Sequence, residues 1–141
     1  MKRCVLTMLT FLLFLTADAQ EVTKGTGKIY MFGVSQQLAD SVIYITAINE
    51  LDSIDLEKKT SFLPYRAAFS FQLEDFLETK LFLEQQTSCV FFSENRKKLS
   101  KKLYKVKKLY LDNPEKKIVV LDETYFKFRH PADDLEDDTK K

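Results

Sequence analysis

The chain has 141 residues, 45% hydrophobic and 30% charged, with a formal net charge of +1, two Cys and one His. That length supports one hydrophobic core. The near-neutral balance argues against a polyanion binder that uses its whole surface, and two cysteines cannot build a disulfide scaffold.

Residues 1–19 read as a secretory signal peptide. Lys2 and Arg3 supply the positive start, and residues 5–16 form an apolar run too short to span a bilayer comfortably. Ala17-Asp18-Ala19 supplies the small-x-small cleavage site. This order of features favours a signal peptide over a buried N-terminal helix or an uncleaved anchor. Cys4 precedes the apolar run instead of following it, which argues against a lipid anchor. The mature chain is expected to begin at Gln20 and to be exported, periplasmic or secreted. Its 122 residues carry 20 basic and 20 acidic side chains. With Cys89 as the one thiol left, no intramolecular disulfide is expected.

A Gln directly after the cleavage site, together with the general composition of the mature chain, resembles small uncharacterised exported proteins of the Bacteroidota. The resemblance covers the first 20 residues and overall style, and implies no activity.

Residues 20–27 are polar and read as a mobile lead-in. Gly25-Thr26-Gly27-Lys28 is not a phosphate loop, because Val22 replaces the first Gly and Ile29 the magnesium-holding Ser or Thr. Residues 28–35 form a strand with Tyr30, Phe32 and Val34 on one face, and 41–50 a second, rich in Val, Ile, Tyr and Thr. The two are expected to pair as an antiparallel hairpin. Residues 51–60 prolong that strand or leave the sheet, and 61–68 connect through Pro64. Leu73, Phe76, Leu77 and Leu81 predict a helix over 71–83.

The most distinctive stretch is 88–121. Ser88-Cys89-Val90-Phe91-Phe92 lacks polar alternation and reads as a strand buried on both faces. A helix over 93–113 follows, with Ser93 as its cap and Glu94 in its first turn. Leu99, Leu103, Val106 and Tyr110 fall on one stripe, and Lys97, Lys98, Lys101, Lys105 and Lys108 on the opposite side. Lys102 and Lys107 flank the stripe. Asn113-Pro114 ends the helix. Residues 117–121 form a second buried strand, so strand, crossover helix and parallel strand predict a right-handed βαβ unit.

Residues 124–130 alternate Tyr125, Lys127 and Arg129 against Phe126, Phe128 and His130 and read as a half-exposed strand. Residues 131–141 are acidic and are expected to be disordered. The predicted fold class is α+β: a two-layer mixed sheet in the order β-β-α-β-α-β, helices on one face, with residues 28–130 as the single domain.

No catalytic, cofactor or metal set emerges. Cys89 and His130 are too few for a zinc site. Cys89 reads as a buried structural thiol and His130 as a surface residue at a strand end. Asp122 and Glu123 end a central strand and are weak acid–base candidates. Most of Tyr30, Phe32, Tyr44, Phe71, Phe76, Phe91, Phe92, Phe126 and Phe128 are expected in the core.

Three functions rank in order. The first is a non-enzymatic interaction module for an envelope protein or glycan. The second is a polyanion-binding module that uses the lysine face, with lipopolysaccharide, acidic glycan or nucleic acid as ligand. The third is a carboxylate-dependent enzyme. Nucleic acid is disfavoured, because specific phosphate sites prefer arginine's planar fork. The lysine face by itself is expected to be a solvated surface, partly neutralised by Asp133, Asp134, Glu136, Asp137 and Asp138.

The processing expectation is checked by mass spectrometry of the exported protein, which should place the N-terminus at Gln20, cyclised or not. Full-length protein held in the inner membrane is the opposite result.

Overall fold

The computed structural model describes residues 24–139, so Ala17, Ala19 and Gln20 lie outside the described residues. Strand β1 (Lys28–Gln36) is the centre of a five-stranded mixed open sheet. Its residues are buried on both faces from Ile29 to Ser35, apart from Tyr30 at half burial, so it must be covered from above and below. β4 (Thr87–Ser93) pairs antiparallel along one side of it, from Tyr30↔Ser93 to Gln36↔Thr87. β2 (Val42–Thr46) and β3 (Asn49–Asp52) pair antiparallel along the other side.

β2 and β3 are one strand interrupted by a bulge. Between Val34↔Ile45 and Met31↔Asn49, β1 advances three residues and its partner four. The gap at Ala47-Ile48 is bridged by a side chain: Thr46 Oγ1 accepts from Gly33 N at 2.9 Å. β5 (Lys117–Leu121) runs parallel to β2 on the outer side. The spatial order is therefore β4–β1–β2–β5, with β3 continuing β2's place.

The fold class is α+β, as the sequence predicts, and the hairpin and the parallel direction of β4 and β5 are present. Two strands, β1 and β2, lie between that parallel pair. Helices cover both faces of the sheet, so the expected two-layer arrangement with helices on one face is corrected to three layers. The cause is β1: Ile29 and Met31 face α1 (Arg66–Leu81), while Phe32 and Val34 face α2 (Arg96–Leu111). Two apolar sheet faces need two covers.

α1 begins at Arg66, five residues before the predicted start. Ala67 and Ala68 favour helix, and Phe69 N bonds back to Tyr65 O at 3.2 Å. Phe69, Leu73 and Leu77 are its buried stripe. Under them sits Gly33, where an added Cβ would lie 2.6 Å from Leu73 Cδ2 and 2.9 Å from Phe128 Cζ. The missing side chain lets helix and sheet approach closely.

Residues 124–130 are not a strand. The alternation is right, with Phe126, Phe128 and His130 buried and Tyr125, Lys127 and Arg129 exposed, but side chains replace the ladder. Asn49 Oδ1 accepts from Phe128 N at 3.0 Å. Gln72 accepts from Arg129 N at 3.0 Å and donates to Arg129 O at 2.9 Å, acting as a one-residue strand partner. The rings of Phe76, Phe126, Phe128 and Phe69 then form a chain with centroids 5.1, 4.8 and 6.1 Å apart.

The acidic end is likewise ordered where it was expected to be disordered. Pro131–Asp138 forms α3, with Pro at its first turn, where the missing N–H costs nothing. Asp133 and Asp134 sit in that turn and favour its dipole. Asp133 pairs with Lys24 at 2.9 Å and Asp134 with Arg129 at 2.7 Å. Residues 24–27 are also not a loose lead-in: Gly25 N bonds Ser53 O at 2.7 Å and Ile54 N bonds Gly27 O at 3.1 Å.

Filling the cleft at Gly33 should be costly. Gly33→Val is expected to lose about 1–3 kcal/mol by overpacking, read from urea unfolding, with Gly33→Ala losing less.

Candidate functional site

The candidate site is the outer face of α2. The helix forms from an Asn95 cap, not the expected Ser93: Asn95 Oδ1 accepts from Lys98 N at 3.1 Å, while Ser93 Oγ accepts from Asn95 N at 3.0 Å. Glu94 is thereby left outside the first turn, which holds no acid. Leu99, Leu103, Val106 and Tyr110 pack on Phe32, Val34, Ile43 and Ile45, as their spacing predicts. The stacked cross-strand pair Phe32–Phe91, 4.9 Å apart, lies in the same layer.

With that stripe anchored, Lys97, Lys98, Lys101, Lys105 and Lys108 are all exposed, as the spacing predicts. Lys102 flanks the stripe with its ammonium 5.5 Å from the Phe91 ring centroid. Arg96, 5.8 Å from the Tyr30 ring centroid, starts the face. The helix thus holds eight cations in sixteen residues and no acid. Among the described residues none of the eight is in an ion pair. Apolar side chains missed in the sequence reading interrupt the lysines: Tyr104, Leu109 and Leu111 are each about two-thirds exposed (67, 70 and 68%). Their position off the buried stripe was the available signal.

The helix is built against its own electrostatics. Lys97–Lys101, Lys98–Lys102 and Lys101–Lys105 are like-charged i,i+4 pairs, each destabilising by about 0.2–0.5 kcal/mol. Arg96, Lys97 and Lys98 also sit at the positive end of the helix dipole. Neutralisation by the acidic tail fails on geometry. Asp133 and Asp134 in α3 bind Lys24, Arg129 and Gln72, on the α1 side of the sheet. The sheet separates them from α2.

The acid–base candidates do not converge. Asp122 Oδ1 caps a turn by accepting from Thr124 N at 2.9 Å and from the Thr124 hydroxyl, and these bonds hold its pKa below the usual carboxylate value. A carboxyl kept ionised by its own turn is a poor general acid. Glu123 accepts from Asn49 Nδ2 at 3.2 Å and fixes the amide that holds Phe128. His130 is buried instead of surface-exposed, because its Nδ1 accepts from Ala132 N at 3.0 Å and caps α3. No group of three His, Cys, Asp or Glu able to hold a metal occurs among the described residues. Nor is any helix among them long and apolar enough to cross a membrane.

Cys89 departs from the sequence reading. β4 is an edge strand, and Cys89 lies opposite Val34 at the rim of the α2 side, outside the apolar cluster. The thiol is exposed. Partial desolvation still raises its pKa, against the opposing pull of Arg66.

Two grooves border these elements. One of about 460 Å³ lies between α1 and residues 125–129, with Phe71 and Tyr125 exposed on its walls. Another of about 310 Å³ runs along β4 between Arg66 on one side and Lys98 and Lys102 on the other. Comparison with protein-family models, with curated proteins and with solved structures returned no match.

Cys89 in the mature chain should label with iodoacetamide in the native state. Because its pKa is raised, less thiolate is present at neutral pH. The rate should therefore be lower than in the denatured chain, with its pH midpoint shifted to the alkaline side. Complete native protection would contradict the exposed edge position.

Proposed function

We propose that the protein is a non-enzymatic, exported binding module that holds a polyanionic glycan on the outer face of α2. The observation that carries this reading is the density of unpaired charge: eight cations without an acid on one helix, shielded by the sheet from the acidic α3. A solvated helix face would ordinarily mix both signs. Here the arrangement costs stability through like-charge pairs, and a bound polyanion relieves that cost.

The expected export favours a glycan over nucleic acid. Lysine is a compact point charge suited to spaced anions held without fixed geometry, whereas arginine's bidentate fork serves specific recognition of phosphate and carboxylate alike. Arg96 is the one arginine on the helix. Exposed Tyr104 stands four residues from Lys108 and three from Lys101, so a ring lies within the cationic field. The sequence ranks a general interaction surface above this one because spaced lysines without interleaved aromatics or arginines usually mark a plain solvated face, partly neutralised here by the acidic tail. The exposed Tyr104 among the lysines and the pairing of Asp133 and Asp134 across the sheet weigh against that ranking. The carboxylate enzyme loses ground because Asp122 and Glu123 are committed to structure.

Heparin serves as the probe. The protein should be retained at low salt and released as salt rises, with a logarithmic slope of about 0.7–0.9 per neutralised charge. Saturating heparin should raise the melting temperature, because it binds only the folded face. Lys101→Glu with Lys105→Glu should abolish retention while folding changes by no more than about 0.5 kcal/mol per substitution. Retention that is absent at low salt, or unaltered in the double variant, would refute the proposal.

A further inference from the structure

We infer that the β4 edge is a second docking site, bordering the proposed glycan face at Lys98 and Lys102, and that its occupant is an extended peptide segment carrying two adjacent acidic residues. β4 is a sheet edge of sequence TSCVFFS, without charge or proline. Such an edge offers unpaired backbone groups to an incoming strand unless something guards it. Two side chains from α1 guard part of it. Glu74 Oε1 accepts from Ser88 N at 2.9 Å, and Arg66 Nη2 donates to Val90 O at 3.3 Å. These contacts establish which residues point outward. In an antiparallel pair the outward groups belong to alternate residues, so Ser88, Val90 and Phe92 face away from β1. The guard therefore stops at Val90, and Phe92 presents its N–H and C=O at the open end.

The groove of about 310 Å³ lies at that end, lined by Val90, Phe91, Phe92, Ser93, Leu99 and three cations. The cations straddle the strand. Arg66 lies over the Phe92 ring at 5.8 Å on the α1 side, and Lys102 over the Phe91 ring at 5.5 Å on the α2 side, with Lys98 beside it. A strand added beside β4 sends successive side chains to opposite faces. Two consecutive carboxylates would then meet Arg66 on one face and Lys98 or Lys102 on the other. Backbone hydrogen bonds supply affinity and the straddling charges supply selectivity. A second copy of this chain fits poorly, since edge-to-edge pairing brings both sets of cations together.

The test uses a fluorescein-labelled octapeptide with two adjacent glutamates flanked by valine and threonine, and fluorescence anisotropy. Saturable binding is expected. The same peptide N-methylated at alternate residues keeps its charge but cannot complete the ladder, and should bind about tenfold more weakly or worse. Separating the two glutamates by one residue should weaken binding, as should Arg66→Glu with Lys102→Glu. Lys101→Glu with Lys105→Glu should leave it intact, which distinguishes this site from the glycan face. Absent binding, equal binding of the N-methylated peptide, or dimerisation through β4 in sedimentation experiments would overturn the inference.

Discussion

The structure depends on one strand whose two faces are both apolar. β1 sends Ile29 and Met31 one way and Phe32 and Val34 the other, and it holds β4 on one side and the broken β2–β3 strand on the other. Burying both faces of a strand requires a layer above and a layer below. α1 with residues 126–128 meets one demand and α2 meets the other. Gly33 sets how closely the α1 layer descends, and the Phe32–Phe91 stack fills the α2 layer.

This layering has an electrostatic consequence. A chain with balanced charge is divided by its own sheet into a strongly basic side and a side holding the acidic α3. Opposite charges on the two sides cannot meet as contact ion pairs, so α3 leaves the lysines of α2 unneutralised; Glu50, beside Tyr30, acts electrostatically on Arg96 at the start of the helix. The ion pairs among the described residues involve Lys24, Lys28 and Arg129, all substantially exposed. Such pairs add little stability. Lys24–Asp133 and Arg129–Asp134 tie α3 to its neighbours, while Lys28 pairs across to Glu50 and Asp52 of β3.

Backbone groups without a ladder partner are met by single side chains. Asn49, fully buried, holds Phe128 and is itself held by Glu123. Gln72 reads both backbone groups of Arg129. Thr46 fills the gap at the bulge, and His130 caps α3. Leaving such groups unpaired costs about 1–3 kcal/mol each, so these amides and hydroxyls have structural duties. The same device, applied by Arg66 and Glu74 to the outside of β4, covers only part of an edge.

What the sequence determined by itself was local. Periodicity placed α2's buried stripe and lysine face, the apolar runs placed β4 and β5, and turn chemistry at Asn113-Pro114 placed the end of the helix region. Those features depend on neighbours within a few residues, and the five lysines of the candidate site were legible for that reason. The interruption of the second strand at Ala47 and the partner of residues 124–130 were not, because each rests on contacts between residues far apart in the chain: Gly33 with Thr46, Gln72 with Arg129, Asn49 with Phe128. The exposure of Cys89 and the distance between the acidic tail and the lysines had the same origin. Hydrophobic pattern gives a residue's face, but only the order β4–β1–β2–β5 decides which strand is an edge and which charges share a side of the sheet.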